Sequence, residues 1–94
     1  MGKNFEIKYH SKVPHQDLKK LTKAIQIQLR VAIENKLQSN PIGFGKPLTG
    51  ILKKYFSIRV GNYRIVYVVK GSIVTILVCE HRSTVYKEAM NRLF

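Results

Sequence analysis

Only one of the 94 residues is a cysteine, Cys79, so the chain has no intrachain disulfide and no cysteine pair at zinc-ligand spacing. A reducing compartment follows, and the cytoplasm is the expected location. Acidic side chains are almost as scarce: five Asp and Glu face seventeen Lys and Arg, a net charge of +12. No carboxylate occurs between Glu34 and Glu80, whereas Lys36, Lys46, Lys53, Lys54, Arg59, Arg64 and Lys70 all fall there. Such an imbalance suits a polyanion, nucleic acid above all. Long apolar runs are missing too. Ile73 to Cys79 is far too short to span a bilayer, so no membrane partner is expected. The opening Met1-Gly2-Lys3-Asn4-Phe5-Glu6 has no apolar signal core, and Glu6 stands where a myristoylation signal takes Ser or Thr. Paired carboxylates, metal-ligand spacing, a phosphate-cradling glycine loop and a serine nucleophile elbow are all absent, which disfavours metal-dependent hydrolysis.

What is present suffices for one core. Hydrophobic residues make up 45% of the chain, which argues for a folded domain, and a single domain over residues 1–94 is expected. Phe5, Ile7 and Tyr9 alternate with polar neighbours, the period of a half-buried strand. Pro14 suits a helix first turn, and Asp17 near that positive end favours a short helix carrying Leu18 and Leu21. A longer helix from about Lys23 to Leu37 follows, with Thr22 as N-cap and Ile25, Leu29, Ala32, Ile33 and Leu37 along one face. Ser39, Asn40 and Pro41 end it, and Ile42 to Gly50 reads as a loop. Three strands come next, Phe56–Val60, Tyr63–Val69 and Ser72–Cys79, with Gly61-Asn62 and Lys70-Gly71 as the tight turns. A C-terminal helix opened by Ser83 carries Val85, Tyr86, Ala89, Met90 and Leu93. The expected class is α+β: N-terminal strand, helical hairpin, antiparallel β-meander, short C-terminal helix.

A two-residue turn at Gly61-Asn62 pairs Val60 with Tyr63 and sets Arg59 directly opposite Arg64. Like charges in that position cost up to about 1 kcal/mol, so a local rule is broken where a function can be served. The same parity continues the arginine face through Val66, Val68, Ile73, Thr75, Leu77, Cys79 and His81. Phe56, Ile58, Val60, Tyr63, Ile65, Tyr67, Val69, Val74, Ile76 and Val78 form the other face, where the helical hairpin packs. Beside His81 stand Arg82, a permanent cation, and Tyr86, a phenol that can donate or accept a proton. Lys53 and Lys54 end a loop and can reach backbone phosphates. Arg, Lys, His and Tyr are groups that act on a phosphodiester without a metal, and RNA carries its own nucleophile in the 2′-hydroxyl.

Taken in order, Lys46-Pro47-Leu48-Thr49-Gly50, then Ile58-Arg59-Val60-Gly61-Asn62-Tyr63-Arg64-Ile65-Val66-Tyr67, then His81-Arg82 with Val85-Tyr86, the chain resembles the RelE/ParE toxin superfamily. Asp17-Leu18-Lys19-Lys20-Leu21 ahead of the long helix is similar as well. The resemblance implies a messenger-RNA interferase acting in the ribosomal A site, without metal or cofactor, that leaves a 2′,3′-cyclic phosphate and is silenced by a cognate antitoxin. It assigns Arg64 to the transition-state phosphate, Arg82 to phosphate or leaving-group chemistry and Tyr86 to the nucleophile. Arg59 takes the place of a lysine of the catalytic face. Lys46, Lys53 and Lys54 would hold the RNA. A second lysine found in some members falls at Ser57, which leaves His81 or Lys54 as alternative bases, and Glu80 occupies a position that is often Gly. Two other readings stay open: a ParE-like toxin that poisons DNA gyrase by protein contact, and a noncatalytic RNA- or ribosome-binding domain.

Overall fold

The computed structural model describes residues 4–94; the first three residues of the N-terminal signal reading, Met1 to Lys3, lie outside them. Five strands, β1 (Glu6–Tyr9), β2 (Lys46–Pro47), β3 (Phe56–Val60), β4 (Tyr63–Lys70) and β5 (Ile73–His81), form one sheet in the order β1-β5-β4-β3-β2. Strands β2 to β5 run antiparallel, and β1 joins the β5 edge in parallel, with Glu6 opposite Ile73 and Tyr9 opposite Ile76. The architecture is the expected α+β one. Among the described residues no helix is long and apolar enough to cross a membrane.

Helix α1 (Lys23–Ala32) starts where expected, with the Thr22 hydroxyl accepting from the Ile25 amide, and widens into a π-type stretch, Ile33–Leu37, that carries the same stripe onward. Leu29, Ala32, Ile33 and Leu37 are buried against Ile58, Ile65, Tyr67, Val74 and Ile76 of the sheet. Burial of this face, rather than helix propensity, holds the element in place. The first arm of the hairpin is shorter than the pattern predicted. Only Val13–Asp17 is helical, one wide turn with Pro14 at its start, and Leu18 and Leu21 follow it as non-helical residues packed on the core. Asp17 therefore sits at the end of a turn and not near a helix N-terminus, and it is fully buried.

The expected loop after Pro41 has structure of its own. Asn40 caps a single helical turn, α2 (Pro41–Phe44), by accepting from the Gly43 amide, and β2 then pairs with β3. The Tyr67 hydroxyl reaches from the sheet to donate to the Pro41 carbonyl at 2.6 Å, which ties this segment to the core.

Gly61 and Gly71 have φ of 63° and 60°, and among the described residues no other residue type has positive φ, so each opens a turn of the II′ kind. The first turn is Gly61-Asn62 as expected; the second is Gly71-Ser72, one residue later than expected, with Lys70 opposite Ile73. A larger departure lies between Val66 and Tyr67, where their partners on β5 are Val78 and Ile76, so that Leu77 is an extra residue, a β-bulge. The bulge reverses the parity of the last part of β5. Val78 joins Leu77 on the arginine face, under helix α3 (Val85–Leu93), while Cys79 turns to the α1 face. The sequence reading had Val78 and Cys79 the other way round, because strict alternation has no place for an inserted residue. Helix α3 covers the apolar end of the arginine face with Val85, Ala89 and Leu93. Its N-cap position belongs to Thr84 and not Ser83, and no side chain caps it.

Candidate functional site

Strands β3 and β4 bring Arg59 and Arg64 into direct opposition, as the turn length dictates. Their side chains then diverge. Exposed Arg59 leans toward the turn, its Nε donating to the Gly61 carbonyl at 3.0 Å, while Arg64 points down the strand and donates to Ser57 Oγ at 3.3 Å. Ser57 is 1% exposed and is also 3.2 Å from the Tyr86 hydroxyl on α3. Arg64, Ser57 and Tyr86 thus form a continuous chain of polar groups across β4, β3 and α3, with Tyr86 37% exposed at its outer end. Sequence reasoning placed Arg64 and Tyr86 here but gave Ser57 no role. The available signal was parity, since Ser57 lies two residues from Arg59 on the same face of β3.

At the strand ends, Arg59, Arg64, His81, Arg82 and Ser83 line a shallow cavity of about 450 Å³. The bulge takes His81 off the parity of Arg64, whose partner is Glu80, yet His81 still reaches the cavity because β5 ends there and the chain turns toward α3. Its ring lies edge-on to Tyr63, its register partner, with centroids 5.6 Å apart. Ser83 fixes the tautomer: its amide donates to His81 Nδ1 at 3.1 Å, and its hydroxyl is 2.8 Å from the same nitrogen. An amide can only donate, so the neutral ring carries its proton on Nε2 and offers a donor there. The Arg82 amide donates to the Asn62 carbonyl at 2.8 Å, which pins this turn to the β3–β4 turn. Glu80, the anion beside the site, is engaged elsewhere. It pairs with Lys20 at 3.0 Å and accepts from the Thr84 hydroxyl.

The lysines separate. Lys46 on β2 is the register partner of Ser57, so it shares the Arg64 face at the sheet edge. Lys54 lies with its Nζ 5.8 Å from the Tyr55 ring centroid and lines a different cavity, of about 280 Å³, with Val68, Lys70, Thr75 and Leu93. Lys53, exposed, follows the 3-10 turn Gly50–Leu52. Among the described residues no group of three or more His, Cys, Asp or Glu is placed to hold a metal ion. The arrangement is a cationic recess with hydroxyl groups at one side, suited to a phosphodiester.

Comparison with known proteins bears on this geometry. Residues 7–86 match the model of the ParE toxin of the type II toxin–antitoxin system parDE. The fold is similar to a chain of the RelBE2 toxin–antitoxin complex from Mycobacterium tuberculosis, at 29% identity and TM-score 0.78 over 88% of this chain and 99% of that one. A chain of the RelB–RelE antitoxin–toxin complex from Methanococcus jannaschii matches at 27% identity and TM-score 0.68, over 86% and 96%. One from the archaeal RelE–RelB complex of Pyrococcus horikoshii matches at 25% and 0.57, over 85% and 97%. No curated protein matches the sequence.

Proposed function

Because the chain belongs to the ParE toxin family of type II toxin–antitoxin systems, within the RelE/ParE superfamily, we propose that its toxic action is cleavage of messenger RNA at the ribosome, relieved by a cognate antitoxin. The observation that carries this reading is the Arg64–Ser57–Tyr86 chain beside a recess lined by three arginines and His81. In the reaction, the 2′-oxygen bonds to phosphorus, the bond from phosphorus to the 5′-oxygen breaks, and charge accumulates on the phosphorane. Arg64, buried on one side and held by Ser57, meets that charge without reorganising. Arg59 and the Nε2–H of His81 add donors, and Arg82 stabilises the departing 5′-oxygen. Tyr86 holds the 2′-hydroxyl. With His81 Nδ1 occupied by Ser83 and Lys54 lining another cavity, this reading assigns the base to neither. Water takes the 2′ proton and returns one to the 5′-oxygen, and the protein contributes mainly charge and position. Lys46 stands in for the lysine missing at Ser57 as a cation of the same face, and Lys53 and Lys54 hold the flanking strand.

The test is cleavage of ribosome-bound message with and without a deoxynucleotide at the cut position. A 2′,3′-cyclic phosphate on the product and complete protection by the deoxy substitution are expected; cleavage that survives the substitution would refute the mechanism. The match to the ParE model favours a second reading, inhibition of DNA gyrase by protein contact. A supercoiling assay on the same preparation decides it: inhibition without any RNA product would replace the nuclease reading. As for the antitoxin, the similar chains from three organisms come from complexes of toxin with antitoxin, and a net charge of +12 suits an acidic partner segment. Co-expression with the adjacent small reading frame should relieve growth arrest.

A further inference from the structure

Arg92, six residues beyond Tyr86 on α3, is the most fully engaged side chain of the molecule's far edge. Its Nη1 donates to Asp17 at 2.8 Å and to the Leu77 carbonyl at 2.9 Å, its Nη2 donates to Asp17 and Glu88 at 2.8 Å each, and its Nε donates to Glu88 at 3.2 Å. These five bonds use every donor of the guanidinium. The side chain is 1% exposed and Asp17 is completely buried. Asp17 also accepts the Cys79 amide at 2.8 Å. Beyond Tyr9, where β1 ends, the outer edge of β5 therefore finds its partners in an ion pair: Asp17 takes the Cys79 N–H, and Arg92 takes the Leu77 carbonyl at the bulge. The pair holds the N-terminal turn, β5 and α3 together.

Helix α3 is consequently tied at two places, by Arg92 at the β5 edge and by Tyr86 at Ser57. Its apolar contact with the sheet is through Val85, Ala89 and Leu93. Apolar contact of that kind selects the face that turns inward but is non-directional in detail, whereas a bidentate guanidinium–carboxylate pair fixes the rotation and axial position within that range. We infer that the Arg92–Asp17 pair is a positioning device that holds α3 in the rotation at which the Tyr86 hydroxyl meets Ser57. The inference rests on the ribonuclease reading for its effect on rate, but not for its effect on Tyr86.

The experiment uses Arg92→Lys, which keeps the charge and loses the fork, with Asp17→Asn as a milder second variant. Both are made in the full chain labelled with fluorotyrosine, and Tyr86→Phe identifies the Tyr86 signal. In each variant that melts cooperatively, the fluorine resonance of Tyr86 should move or broaden while that of Tyr67, on the far face of the sheet, stays. Single-turnover RNA cleavage should fall on the order of tenfold at nearly unchanged affinity. In a Tyr86→Phe background the same substitution should add nothing, because both changes act through one hydroxyl. An unmoved Tyr86 resonance in folded Arg92→Lys and Asp17→Asn proteins overturns the inference, and so does a full additional loss in the Tyr86→Phe background. If the parent protein cleaves no RNA, the ribonuclease reading fails and the resonance alone decides the positioning claim.

Discussion

At the scale of the residue, the proposed reaction asks most of Arg64. This side chain is fixed on a strand interior, and its contact with Ser57 directs the guanidinium along the face where the proposed reaction would develop charge. Arg64→Ala should lower the single-turnover rate on the order of a hundredfold, about 2.7 kcal/mol of transition-state stabilisation, with a much smaller effect on binding. Rates at saturating protein check this, and an unchanged rate would remove Arg64 from the chemistry. The same proposal gives the lysines a different part. Lys53→Ala and Lys54→Ala should each reduce the magnitude of the log–log salt slope of binding by roughly 0.7 if their contacts are to single-stranded RNA. Cys79 makes a prediction about stability and pH. Burial, with the Asp17 carboxylate second, pushes its thiol from 9.0 up to about 12. The folded state then holds a proton that the unfolded state releases first. The stabilising contribution is complete below about pH 9 and is lost as pH rises toward 12. Denaturant midpoints followed over that range should fall more steeply for the parent than for Cys79→Ala, and the native thiol should resist alkylation at pH 8.

Elements show why the site was partly legible in the sequence. The opposition of Arg59 and Arg64 follows from one local fact, the two residues between β3 and β4, and such a turn leaves no other register. The bulge at Leu77 has no comparable signature, because Ile76, Leu77, Val78 and Cys79 are all apolar and any parity fits them. Only the environment decides, with α3 on one face and α1 on the other. Parity puts Ser57 on the arginine face, but its bond to Tyr86 was unreadable for another reason. Its partner Tyr86 is 29 residues away on a helix whose apolar stripe fixes the inward face but not which sheet residue a hydroxyl at its margin meets. The strand Lys46–Pro47 was hidden in a segment rich in glycine and proline, where two residues of pairing leave no periodicity. That segment depends on Gly45. A Cβ there would fall on the Tyr67 hydroxyl, which is bonded to Pro41. Gly45→Ala should therefore cost about 1–3 kcal/mol, read from chemical denaturation, through overpacking and a strained buried bond. It should also weaken the hold on Lys46, next along the chain.

At the scale of the whole molecule, charge and topology act together. Five carboxylates serve a chain of net charge +12, and three of them, Asp17, Glu80 and Glu88, are paired with Arg92 or Lys20 around β5 and α3. The cations of the middle of the chain are left without acidic neighbours in sequence. Affinity for RNA should accordingly drop steeply with salt, and a binding isotherm insensitive to ionic strength between low and physiological salt would argue for a protein target. The topology has a consequence for synthesis. Strand β1, at residues 6–9, pairs with residues 73–76, and the buried carboxylate of Asp17 meets its counterion 75 positions later. A ribosome adding roughly 5–20 residues per second thus makes β2, β3 and β4 before β1 has its neighbour, and most of α3 before Asp17 has its mate. The nascent protein is held back from its native form until Arg92 has emerged. A toxin built this way should come into being as a unit, because a chain made only as far as β5 has neither the mate of Asp17 nor Tyr86.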